Sequence, residues 1–357
     1  MSHKDYFIRS AIDFAFRRKH PALALIVVGA GLLTALLAGI AFSATIPLSN
    51  GDLRFSFSME GGGAVVTWAA LTVALLLIGS GLIWLYTDWR RADRRRVFAI
   101  EFRGLRDWNG TPLVQAIPPA IEGQRVEILV DMRQGVADGF IVAPETAIDR
   151  LLSLRTILDQ HEDGRDRADM THVAGGLAPV PLSFLGGVLL DDEAAITFFD
   201  WHRDTRLWNE LNGADDGERF TVEGLDDVAA GSAEVIVTIS ASYRVDEPAA
   251  VERVGTLPIV RLSLPTTNTG NHWSGDKQQA LARQFLDAMG ELKSRGVRQV
   301  HLFFAGANSL VLRFGSVYDK RNLPALTVYQ YESTSFTWGV TMPVAGVARP
   351  NVVYRPA

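Results

Sequence analysis

Hydrophobic and polar positions change their pattern at Arg96. Two long apolar runs precede it, and short apolar segments separated by turns follow it. The first run extends from Ala22 to about Ile46 and the second from Ala64 to Tyr86, and neither contains a charged residue. Each exceeds the roughly 20 residues that a helix needs to cross a bilayer, so the pattern predicts two transmembrane helices, about 22–46 and 64–86. Arg17, Arg18 and Lys19 precede the first run, and Arg90, Arg91, Arg94, Arg95 and Arg96 follow the second. The loop from Pro47 to Gly63 carries one basic residue, Arg54. This bias predicts that both chain ends are cytoplasmic. The first run is too long for a signal-peptide core, and a second span follows it. The other reading of the two runs is a pair of buried core helices. Phe7, Ile8, Ala11, Ile12, Phe14 and Ala15 recur with helical spacing, which predicts an amphipathic helix over Asp5–Lys19. Leu53, Phe55, Phe57 and Met59 alternate, which predicts a small hairpin or an interfacial patch between the spans.

Residues 97–357 alternate strand-like and helix-like segments. The first half reads as a strand Arg96–Phe102, a loop-rich link Gly104–Pro119, a strand Arg125–Asp131 and a helix from about Pro144 to Gln160. A charged run, a weak strand at His172–Val173, a Gly/Pro turn, an apolar stretch and a strand Ala195–Phe199 follow. The second half reads as strands Glu234–Ser240 and Ile259–Leu264, a helix Asp276–Gly296 and a strand Gln299–Phe304. It ends with an AGANS turn, an apolar stretch Leu310–Phe314 and a strand Leu326–Tyr331. Ala178–Gly186 overlays Ala307–Gly315 at an offset of 129 residues. The repeat is one of pattern, with little residue identity. It predicts two α/β units, about 97–225 and 226–357, with ligands bound at the carboxyl ends of parallel strands. The alternative is a single irregular α+β domain.

Composition narrows the chemistry. A net charge of −5 disfavours a broad surface for DNA or RNA polymers. With no cysteine, the chain has no disulfides, thiolate metal sites or thiol nucleophiles. The seven histidines show no metal-ligand spacing, so no metal site is expected. His301 reads as a satisfied core histidine, and Asp191, Asp192 and Glu193 as a solvated turn. No phosphate loop, nucleophile elbow or other catalytic cluster stands out, so no catalytic residue is assigned. Binding features are better represented. Arg133, Gln134, Ser242 and Tyr243 follow strands, and Asn308 and Ser309 sit in a turn whose amides suit phosphates. Trp201, Trp273 and Tyr331 are placed to stack on bases. These nine residues are the candidate ligand contacts.

The run Val297–Tyr331 (VRQVHLFFAGANSLVLRFGSVYDKRNLPALTVYQY) resembles the C-terminal hallmark of SAVED domains. The shared parts are a strand with HLF, an A-G-A-N turn where the family usually has A-x-P, an apolar stretch closed by Gly315, and a last strand with VYQY. Gly175–Trp208, with PLSFLGG, resembles the matching segment of the first half. The resemblance covers about Val97 to the end. It implies a fold of two fused CARF-like, Rossmann-like units. It also implies a sensor for a cyclic oligonucleotide, often a cyclic trinucleotide, made by a partner nucleotidyltransferase during phage infection, with no further cofactor. Ligand-driven self-association into a ring or filament would then activate a fused effector. The two spans resemble transmembrane-SAVED effectors of bacterial CBASS antiphage operons. That resemblance implies a multi-pass protein of the bacterial inner membrane that disrupts the bilayer. Small residues in the spans (Gly29, Ala30, Gly31, Ala38, Gly39, Gly79, Ser80, Gly81) permit close helix approach. Two other functions stay open: a ring nuclease that cleaves the signal, and a constitutive membrane scaffold or channel.

Overall fold

The computed structural model describes residues 21–38, 42–48, 51–57, 64–104, 110–133, 136–137, 140–141, 143–190, 196–319, 321–343 and 349–354. The predicted amphipathic helix, Gln134 and the Asp191–Glu193 turn lie outside these residues. The chain forms two compact units, Met1–Arg95 and Arg96–Ala357.

The first unit holds helix α1 (Pro21–Ala38), strands β1 (Phe42–Leu48) and β2 (Gly51–Phe57), and helix α2 (Ala64–Arg94). Within α2, Val65–Arg90 is long and apolar enough to cross a membrane. The first apolar run is not one helix from 22 to 46. It is helical for 18 residues, about 27 Å, and its last five residues belong to β1. Composition alone does not mark this break, because Ser43 and Thr45 are uncharged and β-branched residues suit either state. α1 and α2 pack antiparallel with no room for side chains at two glycines. A Cβ on Gly29 would lie 2.9 Å from the Ala74 carbonyl oxygen, and one on Gly81 would lie 2.8 Å from that of Ala22. A Cβ on Gly79 would meet nothing within 4 Å. Gly29 and Gly81 therefore serve first to bring the two helices of one chain together.

The second unit contains two sheets of the same order. In the first half β3 (Arg96–Arg103), α3 (Leu113–Ala116), β4 (Gln124–Asp131), the short strands β5 (Val136–Ala137) and β6 (Phe140–Ile141), α4 (Pro144–Glu162), β7 (Met170–Leu177), α5 (Val180–Leu190), β8 (Ile196–His202) and β9 (Leu207–Glu210) follow in turn. The sheet runs β4-β3-β7-β8-β9, parallel except for β9. After an edge strand β10 (Thr221–Glu223), the second half has β11 (Glu234–Ser240), α6 (Glu247–Val254), β12 (Ile259–Ser263), α7 (Gly275–Ser294), β13 (Gln299–Ala305), α8 (Asn308–Val317), β14 (Ala325–Glu332), β15 (Ser335–Thr341) and β16 (Asn351–Tyr354). Its sheet runs β10-β12-β11-β13-β14-β15-β16, with β12, β11, β13 and β14 parallel. Strand for strand, β3, β4, β7, β8 and β9 correspond to β11, β12, β13, β14 and β15.

The two apolar stretches left unassigned in the sequence are α5 and α8, and they form the centre of the unit. Nine of the eleven residues of α5 are buried, including Leu182, Phe184, Leu185 and Val188, so the helix shows no amphipathic period. The two helices cross at equivalent glycines. A Cβ on Gly187 would lie 2.1 Å from the Leu312 carbonyl oxygen, and one on Gly315 would lie 2.1 Å from that of Phe184. The contact is reciprocal, as a two-fold relation requires, and it sets the structural offset at 128 residues. The offset of 129 read from the sequence paired Gly186, one position early, with Gly315. Phe184, Phe285 and Phe314 pack around this crossing in the main core.

Candidate ligand cleft

The carboxyl ends of β7, β8, β11 and β13 meet at the amino end of α8, where a cleft opens. It is lined by Leu177, Asp200–Asp204, Ser242, Tyr243, Thr269, Gly270, His272, Trp273, Gly306, Ala307 and Asn308. Its volume is about 210 Å³. Both halves contribute, as expected for strand-end crevices in α/β sheets.

A buried polar network forms the floor. Asp200 lies two residues before the end of β8 and is 4% exposed. Its Oδ2 accepts from the Ser309 amide at 3.1 Å and the Ser309 hydroxyl at 2.6 Å, and its Oδ1 accepts from the Trp201 amide at 2.7 Å. Gln278 Nε2 donates to Ser309 Oγ at 2.8 Å, and Gln278 Oε1 accepts from Arg313 Nε at 3.3 Å. Arg313 also lies 4.7 Å from the Phe198 ring centre. Burial pulls its guanidinium down to about 10, so it stays charged at neutral pH. His272 Nε2 approaches Asp200 Oδ2 at 3.5 Å. Burial pushes His272 below the usual imidazole range, and the Asp200 charge opposes that shift.

The arrangement separates the two helix starts chemically. Asp200, from the first half, satisfies α8 with a carboxylate. Gln330 of β14, from the second half, satisfies the start of α5 with a neutral amide, its Oε1 accepting from the Val180 amide at 2.9 Å. Asn308 Oδ1 accepts from Ser183 Oγ at 2.7 Å and from the Ala178 amide at 3.3 Å. This orients the side-chain amide and leaves Nδ2 as a donor on the cleft wall. Ala307, where the family usually carries proline, has φ −66° and ψ 150°. That φ is one proline would adopt, so the alanine preserves the turn.

The walls are aromatic and partly cationic. The Trp273 ring lies 5.4 Å from His202 and 4.5 Å from His272, centre to centre. Tyr243 is 54% exposed. Arg203 is exposed and has no salt-bridge partner among the described residues.

Five of the nine sequence-predicted contacts line this cleft: Trp201, Ser242, Tyr243, Trp273 and Asn308. Ser309 lies beneath it, fully buried in the polar network. The amide of Ser309 is committed to Asp200, so the expected phosphate cradle at this turn is already filled by a carboxylate. Arg133 is not brought into the cleft. It forms a fork-like pair with Asp131, Nη2 to Oδ2 at 2.6 Å and Nε to Oδ1 at 2.8 Å, and this bonding lowers the Asp131 carboxyl. Tyr331 also lies outside the lining residues, edge-on to Phe336 with its hydroxyl donating to Asp246 at 3.2 Å. Arg203, His202, Asp200 and His272 were missed. The sequence signal for the first three was the polar and aromatic run Asp200–Arg203 that directly follows the predicted strand Ala195–Phe199. His301 is satisfied, as read, by Tyr329 at 2.9 Å and Glu234 at 3.2 Å. Among the described residues no cluster of metal-ligating side chains is present.

Residues 154–342 match the model of the SAVED domain, the SMODS-associated and fused to various effectors sensor domain. This is more than half of the chain, and the chain belongs to the SAVED family. Residues 1–148 match the SAVED-fused 2TM effector domain, so the chain joins a sensor domain to an effector domain of the two-transmembrane type. That match extends beyond the first compact unit and takes in β3, β4 and the start of α4. No curated protein matches the chain. Among solved structures, the Acinetobacter baumannii Cap4 SAVED/CARF-domain containing receptor with the cyclic trinucleotide 2'3'3'-cAAA aligns at a TM-score of 0.47 and 12% identity. The alignment covers 78% of this chain and 58% of that one. The Moraxella osloensis Cap4 SAVED/CARF-domain containing receptor aligns at 0.43 and 13% identity, covering 78% of this chain and 57% of that one. This chain thus spans under two thirds of the length of either receptor.

Proposed function

We propose that this protein is a membrane effector gated by a cyclic oligonucleotide, of the cyclic trinucleotide class, in antiphage defence. The observation that carries the reading is the cleft between the two halves, in a chain whose other domain is a two-span effector. Its parts suit an anionic, base-bearing ligand. Arg203 and Asn308 Nδ2 offer a charge and donors to phosphate, and exposed Tyr243 offers a ring face to a base. The matching order of the two sheets supports a domain of two CARF-like units. The binding step needs no cofactor and leaves the ligand intact, so the chain acts as a receptor rather than an enzyme.

In this reading the spans lie in the bacterial inner membrane with both termini in the cytoplasm, and a cyclic-nucleotide synthase supplies the ligand. Ligand binding favours a self-associated state, because only differential affinity shifts such an equilibrium. Self-association into a ring or filament gathers the α1–α2 pairs and breaches the bilayer.

The test is calorimetry of the full chain in nanodiscs with a panel of cyclic di- and trinucleotides. Saturable binding of one member is expected. Tyr243→Ala should weaken it by about 1–3 kcal/mol, the usual worth of a base–aromatic stack. No binding by any member contradicts the reading. Linear fragments recovered after incubation would instead assign a ring nuclease.

A further inference from the structure

The cleft holds one buried imidazole whose charge is set by opposing neighbours. His272 lies in the loop between β12 and α7, and its side chain is 10% exposed. Gln278 Nε2 donates to its backbone carbonyl at 2.8 Å, which fixes the loop to α7. The Trp273 ring centre lies 4.5 Å from that of His272. From β8, Asp200 Oδ2 approaches Nε2 at 3.5 Å. His202, the last residue of β8, and Arg203 after it also act on the ring, as does the Thr269 backbone from its own loop. Asp200, His202, Arg203 and His272 all line the cleft.

These neighbours pull in two directions. Burial opposes the imidazolium most strongly, the Asp200 charge and the Thr269 backbone favour it, and Arg203 and His202 oppose it. An anion in the cleft changes both sides of this balance. It adds a second negative charge beside the ring, and by pairing with Arg203 it offsets the repulsion from that guanidinium. An opposite charge within about 4–6 Å moves a pKa by about 1–3 units in favour of the charged form. A phosphodiester does not titrate near neutral pH, so the proton must be carried by the protein.

We infer that an anionic ligand enters this cleft together with a proton, which His272 takes up, so that binding tightens as the pH falls. The inference rests on the cyclic-oligonucleotide reading and deepens it: the ligand phosphate brings the charge that His272 answers. The device needs both halves, because Asp200 comes from the first and His272 from the second. The sign follows from linkage. A site that gains a proton on binding holds its ligand more tightly at lower pH, by at most about tenfold per pH unit for one proton.

Calorimetry counts the proton directly. The full chain in nanodiscs is titrated with each member of a panel of cyclic di- and trinucleotides at about pH 7, in PIPES, MOPS and imidazole buffers. For the member that binds, the heat should vary with the buffer's ionisation enthalpy in the sense of proton uptake. Its affinity should be about threefold or more tighter at about pH 6 than at about pH 7.5. His272→Gln, which cannot titrate, should bind with no buffer-dependent heat and with a flat pH profile. His202→Gln changes another imidazole of the same cleft and should keep the proton uptake. The parent protein and His202→Gln carry the test if His272→Gln fails to fold. Binding whose heat is the same in all three buffers overturns the proton linkage and leaves the receptor reading standing. Uptake that survives His272→Gln, or is lost in His202→Gln, overturns His272 as the acceptor. No binding by any member overturns both readings.

Discussion

Asp200 shows how one buried side chain organises the floor of the cleft. It sits near the end of β8, receives the start of α8 and faces His272, all while buried. Its carboxylate occupies the Ser309 amide at the start of α8, so in the proposed reading a phosphate would be met by Arg203 and Asn308 instead of that amide. No feature of the local sequence announces this, since Asp200 and Ser309 are 109 positions apart. Trp201, Trp273 and Tyr243 line the cleft, whereas Tyr331, read on the same ground, packs against Phe336 outside it. Arg133 was misleading because its partner, two positions earlier, satisfies it locally. His272 carries a pH signature. Burial lowers its pKa in the folded state below the unfolded value of about 6.5. The unfolded chain then binds more protons as the pH falls through that value, so His272 costs stability on acidification. In urea titrations at about pH 7.5 and about pH 5.5, His272→Gln should lose less stability than the parent protein. Identical losses would show that His272 titrates normally.

At the scale of elements, the sequence was most legible where burial is one-sided. α4 and α7 show helical spacing because one face of each meets the sheet, and Gly296, with φ +91°, stops α7 as read. α5 was opaque because it is buried on nearly all sides, which erases the period, and α8 because its ten residues give fewer than three turns of pattern. α6 was missed because eight residues give barely two turns of pattern. The first apolar run was over-read as one helix because apolarity is common to a span and to a hairpin at its end. The crossing of α5 and α8 leads to a direct expectation. A side chain at Gly187 or Gly315 would meet backbone, which cannot rotate away. Gly187→Val and Gly315→Val should each destabilise the domain by about 3 kcal/mol or more in denaturant titration. Because the contact is reciprocal, the two losses should be similar. A neutral result at either position would mean that the helices do not cross there.

At the scale of the molecule, the division into a membrane region and an α/β sensor was open to reading from hydropathy and from the order of elements. The relation between the two halves was visible only as an echo, since their identity is thin and the equivalence depends on contacts between α5 and α8. What joins the sensor to the effector is short: α2 ends at Arg94 and β3 begins at Arg96. In the proposed mechanism, a change in association of the sensor domains would act on α2 through one intervening residue, Arg95. This makes the coupling testable in a minimal system. The decisive measurement is dye release from vesicles carrying the full reconstituted chain, before and after a cyclic trinucleotide that the protein binds is added. Release that appears only with ligand, saturates with it and fails in Tyr243→Ala is the predicted result. Release independent of ligand, or none despite measured binding, would contradict a ligand-gated membrane effector.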